Sequence, residues 1–216
     1  TAESRSVLAA LGVPAEQIYF LGYPDTGMPY EESFLRRLYD GCRVSASRWG
    51  RTETWRPDGQ DFHFMRSGCH STYTAASVLR DLSDVLALVN PDTVYVTAPG
   101  DCHGDHDALG RFTTQAVAAM ENPPALYYYL IHADRTDIWP ERDAERFRLP
   151  PMAADHPLLR CAAERRPLPD GFPPAEKYSL IQSYTSQDPA AYNGYLLAFA
   201  KNDELVFRVE RLPSRT

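Results

Sequence analysis

The sequence predicts an α/β domain built on a mostly parallel sheet with helices on its faces. Three observations carry this. Short apolar runs of strand length alternate with segments of helical periodicity. The clearest of those segments, Ala75 to Val89, keeps Ala75, Val78, Leu79, Leu82, Val85, Leu86 and Val89 on one face. A polar, histidine-bearing turn follows the strand "PDTVYVTAP" and opens a helix, and in such sheets ligands bind at the carboxyl ends of strands. With 216 residues and 44% apolar side chains, the chain can bury a sizeable core.

The elements run as follows. "TAESRSVLAALGV" combines helix formers with Val7, Leu8 and Leu11 at helical spacing, and Gly12 is the stop. "QIYFLGY" reads as a strand ended by Pro24 and Asp25, and "EESFLRRLYDG" as a short helix. Residues 41–68 are irregular, with Trp49, Trp55 and Pro57 among polar side chains. A loop of that length tends to be functional, and it reads as a substrate-side loop or lid. After the helix from Ala75, "TVYVTA" is a strand. The helix beyond the histidine turn carries Leu109, Phe112, Ala116, Val117 and Met120 on one face. "ALYYYLIH" is the next strand, and a Pro-rich stretch runs to about Pro174. "AEKYSLIQSYTS" and "PAAYNGYLLAFAK" read as two more helices, and "ELVFRV" as a late strand.

Composition narrows the function. A net charge of −7 argues against a general nucleic-acid binder, which would carry a basic face. No apolar run reaches the length that spans a bilayer. Cys42, Cys69, Cys102 and Cys161 form no CxxC pair, which argues against a zinc knuckle or a thioredoxin-like site. No GxGxxG follows a strand, and neither GxxxxGK[ST] nor GxSxG occurs.

The chemistry concentrates in "GDCHGDHDALG", Gly100 to Gly110. His103 and His106 lie three apart where strand turns to helix, so one helical turn brings them to the same side. Imidazole is a common zinc ligand, and a ligating histidine usually donates its second N–H to a carboxylate or carbonyl. Asp101, Asp105 and Asp107 supply carboxylates nearby. The plain alternative is that Asp105 or Asp107 caps the helix beside solvated histidines. That leaves two histidines at one strand end unexplained.

These residues resemble the second metal motif of the PIG-L/LmbE-like deacetylases, zinc-dependent hydrolases that remove acetyl groups from N-acetylglucosamine-type substrates. "ESRSVLAALGV" with "IYFLGYPD" resembles the family's helix, strand and Leu-Gly-x-x-Asp sequence. "EKYSLIQSYTSQ" and "NDELVF" resemble its C-terminal segments. The resemblance implies a Rossmann-like three-layer αβα fold over 1–216 as a single domain, a Zn2+ cofactor and a small amino-sugar or amide substrate. It implies His106 as the zinc ligand and His103 as the residue that stabilises the tetrahedral intermediate. Asp105 would orient and charge His103, and Asp25 and His132 would line the substrate pocket.

Plain readings stand beside these roles. Asp25 sits in a good turn sequence, Pro-Asp-x-Gly. His132 closes a strand, Lys177 marks a solvated helix face, and His63 and His70 belong to the long loop. The family's first motif, His-Pro-Asp-Asp-Glu, supplies a zinc histidine, a zinc aspartate and the general base, and it is absent from the sequence. The resemblance therefore implies that the chain lacks its first strand-helix-strand unit, to be brought by a preceding segment or a cleaved chain that stays bound. A metal-dependent hydratase and a catalytically inactive binding homologue are the alternative functions on this scaffold.

Overall fold

The computed structural model describes residues 2–26, 32–42, 46–57, 59–134 and 138–214, with the side chains of 192 and 193 left out. Chain contacts divide it into two compact units. The larger comprises residues 20–131, 153–163 and 207–216; the smaller comprises 1–19, 132–152 and 164–206.

The expected helix at the start is α1 (Ala2–Ala10), closed by Gly12 with φ 81°. The strand expected over "QIYFLGY" does not form. Residues 18–23 are extended but pair with no ladder. Single bonds hold them instead: Phe62 N–H to Phe20 O at 2.8 Å and Trp55 N–H to Gly22 O at 3.1 Å. Both donors, Trp55 and Phe62, come from the segment 41–68, and their two single bonds stand where a neighbouring strand's ladder would. Gly22 makes that approach possible. Its φ is +78°, and a Cβ there would sit 2.9 Å from the Asp61 Cβ.

Helix α2 (Phe34–Tyr39) follows, then α3 (Phe62–Ser67), an element the sequence reading left inside the irregular segment. Asp61 caps α3 by accepting from Phe64 N–H at 2.9 Å, and Gly68 ends it at φ 76°. Helix α4 (Ala75–Val89) is capped by Thr74 and stopped by Asn90 in the left-handed region. Strand β1 (Thr93–Thr97), helix α5 (Gly104–Ala119) and strand β2 (Ala125–Tyr129) form a parallel strand-helix-strand unit, Thr93 facing Ala125 and Thr97 facing Tyr129. Helix α5 lies tightly on β1, because a Cβ at Gly110 would collide with Thr97 O and Pro99. Phe34, Leu38, Tyr73, Val78, Ala108 and Phe112 form one buried cluster among these helices; Leu86, Ala116 and Val117 form a second.

The Pro-rich stretch contains β3 (Ala162–Pro167), which its prolines concealed. Helix α6 (Pro174–Gln182) is as expected. The long helix expected over "PAAYNGYLLAFAK" is instead α7 (Ala191–Gly194) and a 3-10 turn, Leu196–Phe199. Gly194 at φ 73° breaks the helical path. Strand β4 (Asp203–Arg208) closes the sequence of elements.

The sheet order is β1-β2-β4-β3, and the sheet is mixed rather than mostly parallel. β2 pairs antiparallel with the end of β4, Tyr127 facing Arg208 and Tyr128 facing Phe207. In the smaller unit Trp139, Phe147, Tyr195 and Phe199 pack as an aromatic cluster, with centroids 5.7–5.9 Å apart. The buried Lys201 ammonium donates to Glu141 O at 2.6 Å and Arg142 O at 3.0 Å.

Candidate active site

The histidine turn is built on one buried carboxylate. Asp101 accepts the His103 N–H at 2.9 Å with one oxygen and the Ile131 N–H at 3.0 Å with the other, which ties the start of α5 to the end of β2. Burial alone would raise the Asp101 carboxyl. The His106 ring and the two backbone donors outweigh it and hold the group below the usual carboxylate range.

His103, not an aspartate, caps α5. Its Nδ1 accepts from Asp105 N–H at 3.3 Å. A nitrogen that accepts a hydrogen bond carries no proton, so neutral His103 holds its proton on Nε2. That Nε2 lies 3.9 Å from Asp25 Oδ1. His106 is arranged in the opposite sense. Its Nδ1 sits 3.4 Å from Asp101 Oδ1, a long contact; a proton on Nδ1 would face that carboxylate and leave Nε2 as the lone-pair nitrogen. The two rings stack with centroids 4.4 Å apart and planes 21° from parallel. One turn of helix thus presents a donor imidazole and an acceptor imidazole side by side.

The other two aspartates of the motif brace it. Asp105 Oδ2 accepts Thr26 N–H at 2.8 Å and Thr26 Oγ1–H at 3.0 Å; Oδ1 accepts Leu35 N–H at 2.7 Å. Burial raises its carboxyl, these donors lower it, Asp25 raises it further, and the net direction is up. Asp105 therefore reaches His103 through its backbone N–H, while its carboxylate is occupied by Thr26 and the start of α2. Asp107 accepts Gly100 N–H at 2.7 Å and Arg111 Nε–H at 3.0 Å, and it pairs with Arg36 of α2. Gly104 has to be small, since a Cβ there would collide with Ser33 Oγ.

Asp25 joins this centre to a pocket. Its carboxylate, His103 and Asp105 present ligand atoms that all lie within 4.8 Å of one another, a group able to hold a metal ion. Asp25 also lines a cavity of about 290 Å³ with Tyr23, Trp49, Arg51, Trp55 and Tyr73. The Arg51 guanidinium lies over the Trp55 ring, 4.5 Å from its centroid, and Arg48 over Trp49 at 4.3 Å. Tyr23 is anchored below by Asp81, which accepts its hydroxyl at 2.7 Å. Burial first, and the Asp81 charge second, push the Tyr23 hydroxyl far up.

The GlcNAc-PI de-N-acetylase family, PIG-L, matches residues 1–117, more than half of the 216. The chain belongs to the PIG-L family. No curated protein and no solved structure is significantly similar to it. PIG-L members are generally deacetylases, a hydrolase chemistry, and are typically metal-dependent. The matched span holds His103, Asp105, His106 and Asp25; the C-terminal segments lie beyond it.

His132 falls in the smaller unit of this PIG-L chain, where it stacks on Tyr195 at 5.5 Å. Lys177 is not a solvated helix residue: it pairs with Glu204 at 2.5 Å and its side chain is mostly covered. His63 and His70 are held by the buried carboxylates Asp81 and Asp61. Reading the sequence missed Thr26 and Arg36 altogether, because their partners are 79 and 71 residues away. No helix among the described residues is long and apolar enough to cross a membrane.

Proposed function

We propose that the chain is a zinc-dependent deacetylase that cleaves the acetyl amide of an N-acetylglucosamine-type or related substrate. The observation that carries this reading is the position of Asp25. It faces His103 Nε2 at 3.9 Å and also lines the pocket with the tryptophans. A group in that position holds a ligand hydroxyl while the adjacent imidazole meets the scissile amide.

The donor set suits a zinc-like metal. His106 offers the unprotonated Nε2, and Asp101 at its Nδ1 is the kind of carboxylate partner that orients a ligating imidazole. Asp25, His103 and Asp105 form a separate group of converging ligand atoms, but His103 keeps its Nε2 proton as a donor and three hydrogen bonds already occupy the Asp105 carboxylate, so His106 is the ligand in this reading. Zinc, when bound, acts as a Lewis acid on the acyl carbonyl.

The chain's own residues do the rest. His103 donates its Nε2 proton toward the oxygen on which charge develops, and stabilises that charge more than it stabilises the ground state. It is fixed for this by the Asp105 N–H at its other nitrogen and by the Asp101 contact at its backbone N–H. Asp25 accepts from a sugar hydroxyl. Trp49 and Trp55, each with a guanidinium over one face, offer their remaining apolar ring surface to a pyranose ring. The general base of the resemblance belongs to the His-Pro-Asp-Asp-Glu motif, which this sequence does not contain.

The test is acetate release from N-acetylglucosaminides, with the metal content of the same sample measured alongside. Zinc-dependent release is the expected result. Stoichiometric zinc without release from any N-acetylated amino sugar would overturn the substrate class.

A further inference from the structure

Apart from the histidine turn, the larger unit holds a second assembly of reactive side chains. His63 on α3 places Nδ1 3.0 Å from Asp81 Oδ1, and Asp81 is fully buried on α4. Tyr23 Oη–H at 2.7 Å and Ser71 Oγ–H at 2.6 Å both donate to Asp81 Oδ2, so the carboxylate is fixed in place. The Nδ1 proton of His63 is directed at that carboxylate, and its Nε2 presents a lone pair. Cys69 Sγ lies 3.9 Å from this Nε2 and 3.3 Å from Ser67 Oγ, and Cys69 is exposed. Gly68 makes the juxtaposition possible: at φ 76° it turns the chain back over the end of α3.

We infer that Cys69, His63 and Asp81 form a thiol–imidazole–carboxylate triad that makes Cys69 a nucleophilic thiol, a site for mixed-disulfide formation with small disulfides. The logic is that of any activated nucleophile: a base within reach of the thiol, and a third group that orients the base. His63 Nε2 takes the proton from Cys69 Sγ. The thiolate attacks one sulfur of the small disulfide, its S–S bond breaks, and the other half leaves as a thiolate that recovers the proton from His63. Cys69 is oxidised and the small disulfide is reduced, so electrons balance without another reactant. Exchange of this kind needs a thiolate and access, and no oxyanion site.

A metal is the competing occupant, since His63, Asp81 and Asp84 also present ligand atoms within 4.8 Å of one another. The Arg80 guanidinium disfavours it. Its Nε lies 3.4 Å from Asp81 Oδ1, where it already supplies positive charge.

Cys42 is also exposed and serves as an internal control. The experiment treats the folded protein with oxidised glutathione at neutral pH, maps the modified cysteines by peptide mass spectrometry, and repeats the reaction in denaturant. An ordinary thiol is only a few per cent ionised at neutral pH. Cys69 is therefore expected to react at least about tenfold faster than Cys42 in the folded protein, and faster than it does itself when unfolded. His63→Gln, with its melting temperature checked, should bring Cys69 to the Cys42 rate. If that variant does not fold, the wild-type comparison of Cys69 with Cys42 decides alone. Cys69 reacting no faster than Cys42 in the folded protein overturns the triad. So does a Cys69 that reacts only after EDTA treatment, which would assign the cluster to a metal.

Discussion

At His103 and His106 the same side chain is put to two uses by the partner of its Nδ1. A backbone N–H at His103 leaves a donor pointing toward Asp25, and a carboxylate at His106 leaves a lone pair. The two positions should therefore fail differently. His103→Ala is expected to lower turnover by about 100-fold or more while metal stays bound, since it removes a donor to developing charge. Chelator competition alongside kinetics checks this. Asp101→Asn is expected to weaken metal binding by about 10–100-fold, because it removes the group that orients His106. Unchanged metal affinity in that variant would assign Asp101 to the scaffold alone.

The elements that carry the centre were legible where their signals were local. The alternation in "TVYVT", the periodicity of α4 and the polar start of α5 need no distant partner to be recognised. The extended segment 18–23 was misread because a strand depends on its neighbour, and here that neighbour is a loop supplying single bonds. α7 fell short because Gly194 takes φ 73° within an otherwise helical pattern. Of the site, the histidines were readable from their spacing. The Thr26–Asp105 and Arg36–Asp107 ties were not, because long-range pairs leave no trace in a single sequence. The close packing of α2 against α5 gives a prediction of its own: Gly104→Ala should cost roughly 1–3 kcal/mol of stability through its collision with Ser33, seen as a lower melting temperature. Trp49→Ala removes a half-exposed wall of the pocket and should raise KM with little change in melting temperature. In α1, hydrogen bonds from Ser186 and Thr185 hold the Glu3 carboxyl at about 2, below its ordinary 4.5. A depressed carboxyl stabilises the fold above its unfolded value and loses that contribution as pH falls toward 2, so these contacts should persist through the mildly acidic range. NMR titration of Glu3 checks this; a midpoint near 4.5 would mean the contacts do not hold in solution.

On the scale of the whole molecule, membership of the PIG-L family supports a deacetylase-type hydrolase, and the acidic net charge argues against a general nucleic-acid binder. The proposed metal-dependent chemistry at one end of β1 would rest on His106 as a ligand and His103 as a donor. The most direct test is zinc content measured on wild-type, His103→Ala and His106→Ala proteins purified in parallel. Stoichiometric zinc in the wild type and in His103→Ala, with none in His106→Ala, is the expected result. Zinc retained in full by His106→Ala, or lost from His103→Ala, would contradict it.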